Sequence, residues 1–314
     1  MTDLSGNNDE GIRNIGGNVY NQLVQNNEVL AIKPHSFFDF IKIIKFRPNI
    51  IHSLRGPSYS TFILLKIISY LTGCKKIYCS ILHLSKSIIK NSKYLFIFNS
   101  IRLFTQDENF EKIFTNEKFI VTPLPNGIDG KIYNKQVESN IPDEIRKQIK
   151  KEKKYILHVG HLKSSRGLDI ILEILKTSDW GVILIISERF KIDKSIYNNL
   201  LSARAIIYIG YLQNLETIYT FADCYLFPVN DSSGSIDMPL TILESLACGT
   251  PVLSTYFKAI PRFLNQKDGV YFYKNKKEMI EKLNVISRYK SKNFNTDFLW
   301  TNIVEHIENQ YSKD

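Results

Sequence analysis

The stretch ADCYLFPVNDSSGSIDMPLTILESLACGTPVLST, residues 222–255, reads as strand, loop, helix and strand. Asp223 to Pro228 is a short apolar run closed by proline, which suits a buried strand. Val229 to Asp237 is polar and carries Ser232–Ser233–Gly234–Ser235 in its middle, the composition of a loop. Pro239 fits the opening of a helix. Leu240, Leu243, Leu246 and Ala247 follow at helical spacing, and Gly249 ends it. Pro251 to Thr255 returns as a strand. Glu244 is the one acid in an otherwise apolar helix, where a charge is costly unless it is partnered or solvated. It is either a solvated surface acid or a carboxylate that accepts the hydroxyls of a bound ribose or sugar. The polar loop running into a helix N-terminus favours an anion nearby, because free N–H groups and the helix dipole meet there.

Working outward, strands and helices alternate along both halves of the chain, which predicts parallel sheets covered by helices. In the first half the expected strands are Glu28–Ile32, Asn49–Ser53, Lys76–Ile81, Tyr94–Phe98 and Lys118–Thr122. The expected helices are Asn18–Val24, Ser36–Phe46, Ser58–Tyr70, Ser85–Asn91 and Asp107–Phe114. Proline and glycine at 123–130, followed by the charged run 147–154, mark a boundary. We therefore expect a first domain over 1–130 and a linker over 131–154. A second domain then spans 155–295, and a terminal helix over 296–314 packs back toward the first domain. The second half restarts with strands at 155–159, 182–187 and 205–209 and helices at 167–176, 194–201 and 215–221. A strand at 270–273 and a helix at 276–287 close it. The first domain is expected to be short, since nothing before Gly16 is apolar enough for the usual opening strand; either the domain lacks that strand or the chain begins downstream of a natural start.

The chain has 314 residues, 44% hydrophobic and 23% charged, a globular composition long enough for two cores. Its four cysteines form no C-x-x-C pair and lie in apolar surroundings, as buried free thiols of a reducing compartment do. The first residues do not read as a secretory leader, and no 18-residue apolar run occurs, so no membrane span is expected. The net charge is +10, but residues 31–104 hold twelve Lys or Arg against the single acid Asp39, a balance of +11. Such a segment suits an anionic partner. Its bases are interleaved with Phe, Ile and Leu, as in a helix lying on an anionic membrane surface. Nucleic acid is disfavoured, since the sequence holds no zinc-finger spacing, helix-turn-helix or aromatic RNA-binding motif.

Gly160–His161–Leu162–Lys163–Ser164–Ser165–Arg166–Gly167 follows a strand and opens a helix, where open α/β sheets bind ligands. Arg166 offers a planar fork of donors and Lys163 a point charge, a combination suited to phosphate. The alternative is a polar surface loop. Gly16–Gly17, before a helix, is a weaker candidate of the same kind. His83 lies just past a first-domain strand.

These pieces resemble a family. Pro125–Asn126–Gly127–Ile128–Asp129, Val159–Gly160–His161–Leu162 with Arg166–Gly167–Leu168–Asp169, Ile209–Gly210–Tyr211–Leu212 and Leu243 to Val252 occur in the order and spacing of the family 4 glycosyltransferases. The resemblance covers about 130 residues of the second half; the first half shares only Gly16–Gly17 and His83. It implies the GT-B fold, two doubly wound Rossmann-like α/β domains facing across a cleft. It also implies sugar transfer from a nucleotide sugar with retention at the anomeric carbon, with no metal and no other cofactor. Glu244 would hold the ribose, and Arg166 takes the place of the family's diphosphate-binding lysine. Donor-binding residues would be Gly160, His161, Lys163, Arg166, Leu240, Thr241 and Glu244. The catalytic set would be His83, Asp237 and Arg166, with Gly16–Gly17 as an acceptor-side phosphate loop. Two positions depart from the pattern. His161 stands where the family has arginine, and Ile236 stands eight residues before Glu244, where the family has a first glutamate. Asp237, one residue on, is the acid available there.

The expected partners are a nucleotide sugar, a lipid-linked or envelope glycan acceptor and an anionic membrane surface. The expected location is the cytoplasm, with peripheral attachment to the inner membrane face. A subunit that binds sugar nucleotides without turnover and a sugar-nucleotide epimerase remain as alternatives.

Overall fold

The computed structural model describes residues 11–33, 36–54, 58–82, 88, 92–135, 141–188, 192–231, 234–286 and 294–313. The chain divides into two compact units. The first holds residues 1–127, Ile236–Met238 and Asp297–Asp314; the second holds Ile128–Ser235 and Pro239–Thr296.

The first unit is built on four parallel strands in the order β1-β2-β3-β4: β1 (Ile50–Ser53), β2 (Lys76–Ile81), β3 (Arg102–Thr105) and β4 (Val121–Pro123). Because consecutive strands always step in one direction, right-handed crossovers put their connections on one face. That face carries α3 (Tyr59–Thr72), the 3₁₀ helix Ser92–Phe98 and α4 (Glu108–Asn116), with α2 (Phe37–Phe46) against α3. Strand alternation separates the two faces. Ile51, Ile77, Cys79, Ile81 and Leu103 meet Phe62, Leu65, Ile68 and Phe114 in the core, while His52, Tyr78 and Phe104 point the other way. On that other side lies α12 (Trp300–Tyr311), packed with α1 (Gly11–Leu23). Tyr78 Oη donates to the Gln310 carbonyl at 2.8 Å, and Lys76 Nζ donates to the Tyr311 carbonyl at 2.9 Å, so the last helix is tied to the first unit's sheet. The helix starts obey local chemistry: Ser36, Ser58 and Asp107 each cap one with a side-chain oxygen.

Three expectations in this unit are corrected. Residues 28–32 form no strand: Ile32 is buried in the core, but the sheet ends at β1. Tyr94–Phe98 is 3₁₀ helix; only Leu95 is fully buried, and Tyr94, Phe96 and Ile97 are exposed. The strand lies just after it at Arg102–Thr105, since a short apolar run does not tell helix from strand. Gly16 and Gly17 lie inside α1, not in a loop before it. There the burial of Ile15 and Val19, one helical turn apart, overrides the poor helix propensity of glycine. The expected helix at 85–91 and His83 lie outside the described residues, Ile88 excepted.

The second unit has six parallel strands in the order β10-β9-β8-β5-β6-β7. They are β5 (Tyr155–Gly160), β6 (Gly181–Ile186), β7 (Ile206–Ile209), β8 (Cys224–Phe227), β9 (Val252–Ser254) and β10 (Val270–Phe272). Numbered within the unit, this is the doubly wound order 3-2-1-4-5-6 read from the other edge. β6 and β8 are buried along their whole lengths, as strands covered on both faces must be. The helices are α6 (Leu168–Thr177), α7 (Lys194–Ser202), α8 (Leu215–Phe221), α9 (Leu240–Ala247) and α11 (Lys276–Ile286), with a short α10 (Ile260–Phe263). The segment expected as a linker holds the single-turn helix α5 (Asp143–Arg146), and residues 131–154 fall within this unit. All four cysteines are buried free thiols.

Candidate active site

In a doubly wound sheet the strand order reverses at one place, and the crevice beyond the strand ends there is where ligands bind. In the second unit the reversal falls between β5 and β8. Two connections leave those strand ends: 160–167 after β5, and 228–239 after β8.

Arg166 joins them. It closes a 3₁₀ turn, Ser164–Arg166, and its Nη1 donates to the Gly234 carbonyl at 2.8 Å. The side chain is only 8% exposed, and its Nε meets no hydrogen-bond partner. Among the described residues no carboxylate pairs with it. Burial weakens its hold on the proton, and the nearby Tyr225 phenol opposes that. A guanidinium keeps its charge regardless, so the site carries a buried cation that its surroundings leave uncompensated.

Two glycines make this placement possible. A Cβ on Gly160 would stand 2.2 Å from Arg166 Nη2, so the guanidinium lies flat against the backbone at the end of β5. Gly167 has φ +69°, and a Cβ there would meet the Pro228 carbonyl oxygen at 2.1 Å, so the two connections touch backbone to backbone.

His161 is half-buried, and its pKa falls to about 4, through desolvation first and then the charges of Arg166 and Lys163. It is therefore a neutral imidazole at ordinary pH, whereas the arginine expected at this position is a fixed charge. Lys163 is exposed. Behind them on β5, His158 is fully buried. Its Nδ1 lies 3.0 Å from the Leu226 carbonyl, which fixes the proton there, and its Nε2 meets no partner. Burial and then Arg166 lower its pKa to about 3.

The helix after β8 supplies the other half. Leu240 is buried and Thr241 half-buried in the first turn of α9, whose leading N–H groups have no partner within a helix. Tyr225 Oη donates to Thr241 Oγ1 at 2.8 Å, which links the end of β8 to that turn. Glu244 lies one turn further and is buried; Tyr219 Oη donates to its Oε2 at 2.8 Å, and Tyr133 provides a second bond. Desolvation raises the Glu244 pKa to about 7, against the pull of the two tyrosines. Glu244 is thus a partnered buried acid, not a solvated surface acid.

The structure gathers Gly160, His161, Lys163, Arg166, Leu240, Thr241 and Glu244 in the second unit at the ends of β5 and β8 and on α9. Asp237 is fully buried, but it clusters with the first unit, as do Gly16 and Gly17. In that unit Gln106 Nε2 donates to Asn126 Oδ1 at 2.6 Å, and Asn126 Nδ2 donates to the Met238 carbonyl at 2.6 Å, which fixes the residue after Asp237. Sequence reasoning missed Tyr133, Tyr219, Tyr225 and His158. Tyr219 and Tyr225 lie in apolar runs that read as plain core, and only the polar end of each ring distinguishes them.

Residues 140–293 match the sequence family described as glycosyl transferases group 1. No curated protein matches the whole chain significantly. Among solved structures, Anabaena HepE bound to UDP and glucose is similar over 99% of this chain and 98% of its own, with 12% identity and a TM-score of 0.69. A glycosyltransferase from Rickettsia africae aligns over 93% and 86% with 13% identity and a TM-score of 0.66. Sucrose-phosphate synthase of Thermosynechococcus elongatus aligns over 98% and 93% with 12% identity and a TM-score of 0.65. At such identities the likeness establishes the fold: two Rossmann-like domains of the GT-B kind.

Proposed function

We propose that this protein transfers a sugar from a nucleoside-diphosphate sugar to an acceptor hydroxyl, with retention at the anomeric carbon. The observation that carries the reading is the uncompensated Arg166 guanidinium, buried where the second unit's sheet reverses. A buried cation without a carboxylate is costly unless an anion joins it. Arg166 and Lys163 take the diphosphate, aided by the positive end of the α9 dipole. Glu244 takes the ribose. Its carboxylate has about four acceptor positions, the two tyrosines use two, and two remain for a vicinal diol.

In the reaction the bond between the anomeric carbon and the phosphate oxygen breaks, and its electron pair goes to the diphosphate. The acceptor oxygen bonds to the anomeric carbon, and its proton passes to the departing phosphate oxygen. Negative charge on the leaving group grows between the bound donor and the transition state, so Arg166 acts more strongly there than on the bound donor. The match of residues 140–293 to glycosyl transferases group 1 and the UDP, UDP-with-glucose and UDP-glucose complexes of HepE support a nucleotide-sugar donor, with UDP as the first nucleotide to try. The basic first-half segment supports a lipid-linked or envelope-glycan acceptor at the cytoplasmic membrane face. Calorimetric titration with UDP, GDP and ADP tests the site. One of them binds the native protein and loses most of its affinity to Glu244→Gln; binding of none would refute the reading.

The neutral His161, together with Ile236 in place of an acid, favours a second reading, a subunit that binds the nucleotide sugar without turnover. Tight binding with no product separates it from the first.

A further inference from the structure

Helix α3 carries two apolar stripes, one turned inward and one outward. Phe62, Leu65 and Ile68 fill the first unit's core, while Ile63, Ile67, Tyr70 and Leu71, at three- and four-residue spacing, form a second stripe that is exposed. Tyr70 is 87% exposed. A helix apolar on both faces is ordinarily covered on both. The stripe is not isolated. Beside it α2 exposes Phe38, at 76%, with Lys42 and Lys45 at the spacing of one helical face. On its other flank the 3₁₀ helix at 92–98 exposes Phe96 and Ile97. It is held to α3 by Phe98 stacked on Phe62, ring centres 5.5 Å apart, and by Lys66 Nζ donating to Ser100 Oγ at 2.7 Å. Large apolar side chains on three neighbouring elements form a patch of the kind that marks an interaction surface.

Charge selects the partner. The bases described on the patch are Lys42, Lys45 and Lys66; Lys76 and Arg102 of the same basic segment reach the last helix and Lys313 just past it, on the other side of the sheet. The acids of the patch are few: Asp39 is engaged by Lys42 Nζ and the Lys33 N–H, and Glu117 lies near Tyr59. A face that sets Lys42, Lys45 and Lys66 among apolar side chains attracts an anionic surface and disfavours a second copy of itself. Among the described residues no helix is long and apolar enough to cross a membrane, so contact is lateral. We infer that the outer face of α2, α3 and the 3₁₀ helix at 92–98 lies on an anionic lipid bilayer, with Phe38, Ile63, Ile67, Tyr70 and Phe96 among the acyl chains and headgroups and the lysines at phosphate level. The inference stands on the first unit alone. It gives the acceptor reading a physical surface, and it uses no residue of the nucleotide site.

The test is sedimentation of the full chain with vesicles of phosphatidylglycerol, or of phosphatidylcholine alone, at low and high salt. Binding to phosphatidylglycerol at low salt, weakened by salt and by neutral lipid, is expected. Lys42→Ala and Lys45→Ala each reduce it about fivefold. Ile67→Asp and Tyr70→Asp, at exposed positions that the core does not need, abolish it while nucleotide affinity stays unchanged. No binding to phosphatidylglycerol at low salt, or undiminished binding by both Asp variants, would overturn the inference. So would self-association of the native chain that either Asp variant abolishes, since the face would then belong to a second copy. Loss of nucleotide binding with vesicle binding intact would refute the sugar-transfer reading and leave this one standing.

Discussion

The Tyr219 hydroxyl donates to the Glu244 carboxylate at 2.8 Å, and both side chains are buried. Tyr133 adds a second bond, and together they orient the one acid of α9. Tyr219→Phe removes a donor without opening space. It is expected to weaken nucleotide binding about tenfold or less, by loosening the carboxylate, while Glu244→Gln weakens it by about ten- to a hundredfold, as loss of charged hydrogen bonds does. Calorimetry on the two variants checks the order; equal affinity in Glu244→Gln and the native chain would make the acid structural.

Glu244 also makes stability depend on pH in an unusual direction for an acid. Its folded pKa, about 7, lies above the ordinary 4.5, so the folded chain holds the proton more tightly than the unfolded one. Its favourable contribution is full below about 4.5 and is lost as pH rises toward 7, a change of up to about 3 kcal/mol. Denaturant unfolding of the native chain and Glu244→Gln across pH 4.5–7 should diverge, with the native chain losing ground as pH rises. Parallel curves would contradict the buried, raised acid.

His158 acts in the opposite sense. Its folded pKa, about 3, lies below the ordinary 6.5, so the unfolded chain takes the proton first. Stability from this group is present above 6.5 and is lost as pH falls toward 3. His158→Asn should flatten the acid limb of the stability curve, measured as denaturation midpoint against pH. An unchanged limb would mean that the ring is not held neutral in the fold.

Arg166 and Gly160 should fail together. Arg166→Ala is expected to lower kcat by about 10²–10³ and to lower donor affinity less. Gly160→Ala puts a methyl where Nη2 lies, so it should reproduce much of that loss with the fold intact by circular dichroism. Gly167→Ala, by contrast, is a folding defect, since its left-handed backbone alone costs about 1–2 kcal/mol in a residue with a side chain. Normal kcat in Gly160→Ala would show that the guanidinium does not work from its observed place.

The second unit was legible from the sequence because its strands are buried on both faces and its helices carry plain periodic stripes. The run from Cys224 to Ser254 shows both signals, and the structure follows it nearly residue for residue. Glu244 and Arg166 stood out as a charge in an apolar helix and a base in a strand-end turn. Their surroundings did not, because the tyrosines that hold Glu244 come from 25 residues away on α8 and from the turn at 133, a distance only folding closes. In the first unit the signals misled where local preference and burial disagree. Gly16 and Gly17 look like a turn yet sit in a helix that Ile15 and Val19 anchor, and Tyr94 to Phe98 looks like a buried strand yet faces outward. The excess of exposed apolar residues there follows no core logic, which is why composition showed the basic character of the segment and not its shape.

The most direct measurement is turnover of a panel of UDP-, GDP- and ADP-sugars by the native chain and by Arg166→Ala, followed through release of the nucleoside diphosphate. The account predicts that one class of donor is consumed by the native chain and that Arg166→Ala consumes it about 10²–10³ times more slowly. No consumption of any donor by the native chain, or equal rates in the two proteins, would contradict it.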